Sequence, residues 1–496
     1  MATIFLTGAT GLLGHYTLAA LLSREGVTVR VLVSPPVDES IARLGLLLKE
    51  IGVDLASAIG SGRVSIVPGR LPDRLDPMQM AGVDTVLHAA ASTRFHMDAS
   101  GEPFRTNVNG TAALLGFAAR AGVKHFVLVS TAYVGGLSSG VLPEDRLATC
   151  SPNANDYERS KWVAEQSVLK WSNRERRGVI VRPSILIGDL ANGRSTTFGG
   201  VYILARAVEL MARAIEHEPL IDRKRIPLRI MGRPESFLNI SPVCWTALHL
   251  SAIASHPPDS PEIVNLVNPA PPSCDDVKRW LEAQFDLGGG RFTTEAWPWA
   301  DATDFEEVFY AAGEGVHAYF RRDLHIETNF LSARGESGSL VNEAHFQKCI
   351  NYARDRRWGR RAPTLTRASI PQGGDIHPAW YFEQFMASRL PTSSISRISG
   401  FTAIVRYIID GIEDGEWVCR FQAGRMVELR RGRNSLHENF GFRVGRETFV
   451  RIVTGKQTIQ SAYFQSEAEI FGDTLMAMKM VPIMDSFLLE CPLPSG

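Results

Sequence analysis

The chain has no CxxC pair among its six cysteines and no HExxH or comparable spacing among its twelve histidines. Cys150, Cys244, Cys274, Cys349, Cys419 and Cys491 are scattered, so neither a zinc site nor a dense disulfide framework is expected, and the metal ligand set is none. An excess of charge is also missing, because 53 basic and 53 acidic side chains give a formal net charge of zero. No global field therefore draws nucleic acid or anionic lipid to the molecule as a whole. No uninterrupted apolar stretch approaches bilayer thickness, so no membrane span is expected. The N-terminus runs straight into an apolar strand without the basic start and cleavage site of a signal peptide, which points to a reduced, cytoplasmic protein. With 45% hydrophobic and 21% charged residues the composition is globular, and 496 residues exceed one ordinary core.

What is present is an alternation of short apolar runs and helical patterns through the first third. Ile4–Thr7, Val27–Val33, Val64–Val67, Thr85–Ala89, His125–Ser130 and Gly178–Pro183 read as buried strands rich in Val, Ile and Leu. Leu12–Ser23, Thr111–Ala121 and Asp156–Lys170 read as the helices between them, with further helices at Gly199–His217 and Pro242–Ser255. Repeated βα units imply an α/β fold, a Rossmann-type doubly wound parallel sheet joined by right-handed crossovers. Residues 256–355 mix short strands and helices. Residues 356–379, rich in Arg, Pro, Gly and Ser, read as a linker. Beyond it, a helix at Trp380–Leu390, strands at Trp417–Phe421, Met426–Leu429, Asn439–Val444 and Phe449–Val453, and a Met-rich helix at Thr474–Leu489 suggest a second, smaller α+β domain over 380–496.

Two constellations carry chemistry. The first is Thr7-Gly8-Ala9-Thr10-Gly11-Leu12-Leu13-Gly14, directly after the first strand. Gly8 permits the tight turn, Gly11 lets backbone approach a pyrophosphate, and Gly14 lets the helix sit close to the sheet with its positive N-terminus towards the phosphates. A glycine triplet alone is a weak signal, but its place between strand and helix at the start of a βαβ unit makes a plain turn the poorer reading.

The second is Tyr157-Glu-Arg-Ser-Lys161 at the start of an apolar-periodic helix. Four residues are about one turn, so both side chains project from one face. A nearby ammonium stabilises phenolate, lowers the tyrosine pKa towards working pH, and suits the phenol to exchange a proton with a carbonyl or alcohol oxygen. Such a pair is most often a surface coincidence. Its position after a strand ending in Ser130-Thr131 favours catalysis.

With HAAAS (88–92), NVNGT (107–111), VSTAYVGG (129–136) and VRPSILIG (181–188), these motifs resemble the extended short-chain dehydrogenase/reductases over residues 1–355. The resemblance implies that Thr131, or else Ser130, hydrogen-bonds the substrate carbonyl, that Tyr157 transfers the proton, and that Lys161 holds the nicotinamide ribose. Asn107 would order the site, against the alternative of an ordinary helix-capping Asn. The cofactor is expected against Gly8, Thr10, Gly11, Leu12, Leu13, Gly14, Ala89, Ala90, Tyr157, Lys161, Pro183, Ser184 and Ile185, with Ser34 and Arg70 near the adenosine. NADP is preferred because Ser34 offers no acid to repel a 2′-phosphate, with NAD as the alternative. VSTAYV, HAYFRRDLHIETNF (317–330) and CINYARDRRWG (349–359) are similar to the fatty acyl and carrier-thioester reductase branch. With FVRIVTGKQTIQSAYFQSEAEIFGDTLMAMKM (449–480), the C-terminal domain resembles the sterol carrier protein type 2 family over about residues 380–492, which implies apolar ligand binding, with Met476, Met478, Met480 and Met484 as flexible lining.

The expected activity is NADPH-dependent reduction of a carbonyl on a hydrophobic substrate, such as an acyl thioester on CoA or a carrier protein, giving an aldehyde. A ketoreductase or hydroxyl dehydrogenase acting on a sterol-like or polyketide substrate is the enzymatic alternative. A lipid-binding or redox-sensing protein with a silent dinucleotide domain is the alternative of another class. A homodimer is also expected, by analogy with that family.

Overall fold

The computed structural model describes residues 2–73, 76–98, 100–136, 139–215, 222–259, 262–303, 305–306, 309–310, 317–359, 376–392, 401–432, 437–491 and 493. The β-branched runs form β1 (Ala2–Thr7), β2 (Val27–Val33), β3 (Val64–Pro68), β4 (Thr85–His88) and β5 (His125–Val129). They are followed by β6 (Ser139–Leu142), β7 (Arg177–Pro183), β8 (Ile185–Ile187), β9 (Arg229–Met231), β10 (Ile240–Pro242) and β11 (Ile263–Leu266). Seven of these make one sheet in the order β11-β7-β5-β4-β1-β2-β3, and every pairing in it is parallel. Consecutive strands run outward one way from β1 to β3, and β4 returns to the other side of β1. The chain therefore opens a crevice at the carboxyl ends of β1 and β4, where doubly wound sheets bind ligands.

Helices α1 (Leu12–Leu22), α2 (Val37–Lys49), α3 (Leu55–Gly60), α4 (Thr111–Arg120) and α5 (Asp156–Trp171) supply the crossovers. One apolar cluster joins β1, β2 and β7 to α1 and to α7 (Val243–Ser255), and another joins β4 and β5 to α4 and α5. α6 (Val201–Ile215), α8 (Cys274–Phe285) and the helix Glu343–Asp355 build a lobe above the carboxyl edge. Among the described residues, no helix is long and apolar enough to cross a membrane.

The C-terminal part is a five-stranded mixed sheet centred on Ala403–Asp410, which pairs antiparallel with Glu416–Gln422 and parallel with Phe440–Gly445. That central strand alternates buried Ala403, Val405, Tyr407 and Ile409 with half-buried residues, a period of two that the sequence reading passed over. Residues 449–453, read as a strand, belong instead to the helix Arg446–Val453. Its buried residues Thr448, Phe449, Ile452 and Val453 recur at helical spacing, so packing one face outweighs the β-preference of Phe, Val and Ile. The interior is filled by aromatic rings, with Phe382 stacked on Trp417 at 4.9 Å and Tyr407 on Phe442 at 5.8 Å.

Most of the linker, residues 360–375, lies outside the described residues. Before it, Trp358 is buried and donates through Nε1 to Glu209 on α6 at 2.7 Å, and its carbonyl accepts from Ser466 at 2.9 Å. Arg206, also on α6, donates to the carbonyls of Tyr463 and Phe464 and stacks over the Tyr463 ring at 4.2 Å. The lobe and the C-terminal sheet thus share one continuous apolar cluster.

Candidate active site

Parallel strands put all their carboxyl ends on one edge, so residues far apart in sequence meet there without any special contact. Gly8–Gly14 follows β1, Ser34 follows β2, Arg70 lies just past β3, Ala89-Ala90 follow β4, Ser130-Thr131 follow β5 and Ser184 follows β7. The register aligns Thr7 with His88, His88 with Leu128, and Val129 with Val181.

The three loop glycines do different work. Gly8 has φ +78°, and a Cβ there would meet the backbone of Ala89 and Ala90 at 2.5–2.8 Å. A Cβ on Gly14 would meet the Gly8 carbonyl oxygen at 2.0 Å. Gly11 is exposed, and its nearest neighbour would be the Gly8 oxygen at 3.2 Å. Protein packing therefore demands Gly8 and Gly14, whereas at exposed Gly11 a Cβ would press on one backbone oxygen alone. α1 begins after Gly11 with no side chain capping it, so its first-turn N–H groups are free to receive a phosphate. This cradle fits a dinucleotide pyrophosphate.

A directed hydrogen-bond chain lies beneath it. The Ala90 N–H donates to Thr7 Oγ1 at 3.2 Å, and Thr7 Oγ1 meets His88 Nδ1 at 2.7 Å. His88 Nε2 meets Thr111 Oγ1 at 3.0 Å, and that hydroxyl donates to the Asn107 carbonyl at 2.6 Å. Because the Thr111 proton is committed to Asn107, His88 must donate from Nε2 and accept at Nδ1. Burial, aided by the charge of Lys161, holds the His88 pKa down to about 3, so the ring is neutral. Asn107 lies inside the π-helical turn Arg105–Gly110 and caps nothing. Its amide oxygen accepts from Ser92 N at 2.8 Å, and its Nδ2 donates to Ser92 O and Ser160 Oγ, both at 2.8 Å. Ser160 in turn donates to the Tyr157 carbonyl at 2.7 Å. The loop after β1 and the helix bearing Tyr157 are thereby joined through His88 and Asn107.

On α5, Asn155 and Glu158 form a reciprocal capping box that sets the register of Tyr157. The phenol is half-buried beside Thr131, whose hydroxyl favours the phenolate, while Ser130 Oγ is buried with no partner. Of the two hydroxyls, Thr131 is the one that meets Tyr157. Burial pushes the Tyr157 pKa up to about 12, with Thr131 opposing and Glu158 adding to the rise. This reverses the expected lowering. Lys161 is buried and its Nζ donates to the Val129 carbonyl at 2.6 Å, and burial draws its pKa down to about 8. Desolvation is the largest cause of both shifts, and neither arises from the other group.

Further site residues are visible only in the fold. Glu158, fully buried, accepts from Arg322 at 2.6 Å and from the Tyr319 hydroxyl at 3.2 Å. The Arg322 guanidinium lies over the rings of Tyr319 and Tyr133, which pack edge to face at 4.6 Å, and Phe95 lies beyond Tyr319. Lower on α5, Glu165 and Arg182 form a second fully buried pair at 2.7 and 2.9 Å. The Asn155-x-x-Glu158 box is legible in sequence, but Arg322 lies 164 residues away with no local signal.

Removing one partner of a buried pair leaves an uncompensated charge. Arg322→Met is therefore expected to destabilise the chain by about 3–5 kcal/mol. The double change Glu158→Gln with Arg322→Met should recover most of that, since glutamine still closes the capping box. Chemical denaturation of the two variants checks this, and equal stability of the single variant and the parent would refute it.

At the adenosine end, Arg70 Nη2 donates to the Pro35 carbonyl at 3.0 Å, which sets an exposed guanidinium beside exposed Ser34.

Residues 6–222 match the model of an NAD-binding family, that of the male sterility protein. The match spans the glycine loop, Asn107, Thr131, Tyr157 and Lys161. This part of the chain is similar to NAD(P)-dependent reductases. It is 29% identical over 217 residues to the L-2-aminoadipate reductase large subunit of Eremothecium gossypii, covering 39% of this chain and 16% of that protein. In fold it resembles the terminal R domain from the myxalamid PKS-NRPS biosynthetic pathway, with a TM-score of 0.57 and 22% identity over 72% of this chain and 92% of that one. It also resembles a thiolation-reductase di-domain from an archaeal non-ribosomal peptide synthetase, with a TM-score of 0.56 and 19% identity over 72% and 76% of the two chains. The chain spans 16–34% of the length of the first three curated relatives it matches.

Proposed function

We propose that the protein reduces the thioester of a hydrophobic acyl group, carried on CoA or a carrier protein, to an aldehyde with NADPH. The observation that carries this reading is the Thr131–Tyr157 pair at the carboxyl edge of β5, walled by Tyr133, Tyr319 and Phe95 and adjoining a pyrophosphate cradle. The reductase names of the relatives, and the thiolation domain joined to one structural neighbour, support a carrier-bound substrate.

Bound in the cradle, NADPH supplies the hydride. Gly8–Gly14 and the first turn of α1 would hold its pyrophosphate, and Lys161 its ribose. Thr131 and Tyr157 hold the substrate carbonyl oxygen, which takes the electron pair of the C=O bond as hydride adds to carbon. Tyr157, with its raised pKa, is fully protonated near neutral pH and delivers its proton to that oxygen. The C–S bond of the resulting hemithioacetal then breaks, the hydroxyl proton passes to sulfur, aldehyde and thiol leave, and Tyr157 takes up a proton from solvent to restore the phenol. The aromatic wall excludes water, which strengthens each of these hydrogen bonds.

The test is an NADPH-oxidation screen over acyl thioesters, aldehydes and ketones with products identified by mass spectrometry. Aldehyde with free thiol supports this reading, and a secondary alcohol from ketones alone replaces it with ketoreduction.

Arg70 supports NADPH over NADH, because it sets a positive charge where a 2′-phosphate would lie beside Ser34. An exposed charge-assisted hydrogen bond lies at the low end of its usual range. Arg70→Ala is accordingly expected to lower the NADPH-to-NADH affinity ratio roughly tenfold. Calorimetric titration with both cofactors measures it, and an unchanged ratio removes Arg70 from the cofactor site.

We read residues 380–496 as an α+β domain that braces the reductase lobe. Arg206 and Trp358 tie it to α6, and close-packed aromatic rings fill its interior.

A further inference from the structure

We propose that an apolar cavity beneath α6, in the reductase lobe and not in the C-terminal sheet, receives the end of the substrate's acyl chain and sets its preferred length. The proposal rests on the thioester reading above. The cavity has a volume of about 40 Å³. A water-sized group needs about 10–15 Å³ by this measure, so roughly three such groups fit, the size of a three-carbon terminus. Leu204, Val208 and Met211 of α6 form one wall, and Ile230, Leu281 and Phe320 face them. The charged residues on its lining, Lys278 and Glu282, are paired with each other at 3.0 Å, which leaves an unpaired anion or cation nothing to bind. A pocket with so apolar a lining takes an apolar guest.

Two elements connect the cavity to the chemistry. The first is α6. A Cβ on Gly200, just before its first residue, would lie 2.9 Å from Ile185 Cγ2, two residues beyond the Pro183 end of β7. With a rise of about 1.5 Å per residue, Leu204 stands roughly 6 Å and Met211 roughly 16 Å further along the helix. The second is the 3-10 turn His317–Arg321, where consecutive residues serve the two places. Tyr319 hydrogen-bonds Glu158, the neighbour of Tyr157, and Phe320 lines the cavity. A chain whose thioester lies at Tyr157 therefore passes between α6 and this turn with its apolar end directed to the cavity. Arg206 extends from α6 between Leu204 and Val208 in sequence and is fastened to the carbonyls of Tyr463 and Phe464. The C-terminal domain thus fixes the wall against which length is measured.

The experiment uses the full chain and two unreactive probes, S-ethyl-CoA and S-decyl-CoA, titrated by calorimetry beside kcat/KM for acetyl-CoA and decanoyl-CoA. Val208→Trp fills the cavity and is expected to lower the decyl-to-ethyl affinity ratio roughly 50-fold, which is about 0.8 kcal/mol for each of three methylenes. Leu281→Phe, from the opposite wall, should act in the same direction and serves if the tryptophan variant does not fold. Leu204→Ala enlarges the space and should shift preference to longer chains. Equal effects on both probes, or parent protein that binds S-decyl-CoA no more tightly than S-ethyl-CoA, overturn the proposal. Length-dependent binding without reduction of any thioester leaves the cavity assignment standing and overturns the reductase reading. Reduction of both substrates with no length dependence does the reverse.

Discussion

Tyr157→Phe is expected to lower reductive turnover by about a hundred- to ten-thousand-fold, the usual worth of a positioned general acid. The fold should survive, because Thr131 is the one neighbour that opposes the raised pKa of the phenol, and phenylalanine keeps the ring. Cofactor affinity should also survive, since the cradle is built from Gly8–Gly14 and the uncapped start of α1. The parent protein carries a companion signature in its pH profile. The Tyr157 phenol keeps its proton to a pKa of about 12, but the Lys161 ammonium is lost as pH rises through about 8. Reduction measured as kcat/KM should therefore fall on the alkaline side near pH 8, well before the phenol ionises. Turnover by Tyr157→Phe within a few-fold of the parent would remove Tyr157 from the mechanism.

Gly11→Val and Gly14→Ala are expected to fail in different ways. Gly11 has φ −82° and ψ 168°, an extended conformation that valine adopts readily, and a Cβ there meets the Gly8 oxygen at only 3.2 Å. The variant should fold while its isopropyl group occupies the space above the loop. The expected loss of cofactor affinity is roughly a hundredfold, about 3 kcal/mol of overpacking against the pyrophosphate. Gly14→Ala instead drives a methyl group to 2.0 Å from the Gly8 oxygen and 2.9 Å from Ala9 Cα, both backbone atoms that cannot swing aside. It should lower thermal stability and soluble yield in the absence of any cofactor. Thermal melts beside cofactor titrations separate the two, and a stable Gly14→Ala protein with unchanged binding would contradict the close packing of α1 on the loop.

Local pattern determined much of this protein. Runs such as GVIV and HFVLV are buried on both faces, so their continuous hydrophobicity announces parallel strands before any partner is known. The glycine loop, Thr131, Tyr157 and Lys161 are legible for a related reason. Parallel strands deliver their carboxyl ends to one edge, and a strand-then-loop position in sequence is already a position in the site. FVRIV reads as a strand because it is rich in β-branched residues yet lies in the helix Arg446–Val453, whereas AIVRYIID carries its period of two in the sequence itself. For FVRIV only the face that packs decides.

Three things were decided by tertiary structure alone. Burial raised the Tyr157 pKa and lowered that of Lys161, since desolvation depends on everything packed around a group and not on its neighbour one turn away. Arg322 reached Glu158 across 164 residues, a pairing that no local spacing encodes. The apolar cavity lies in the reductase lobe because side chains brought there by α6, α8 and the turn at Phe320, elements far apart in sequence, do not fill the space between them.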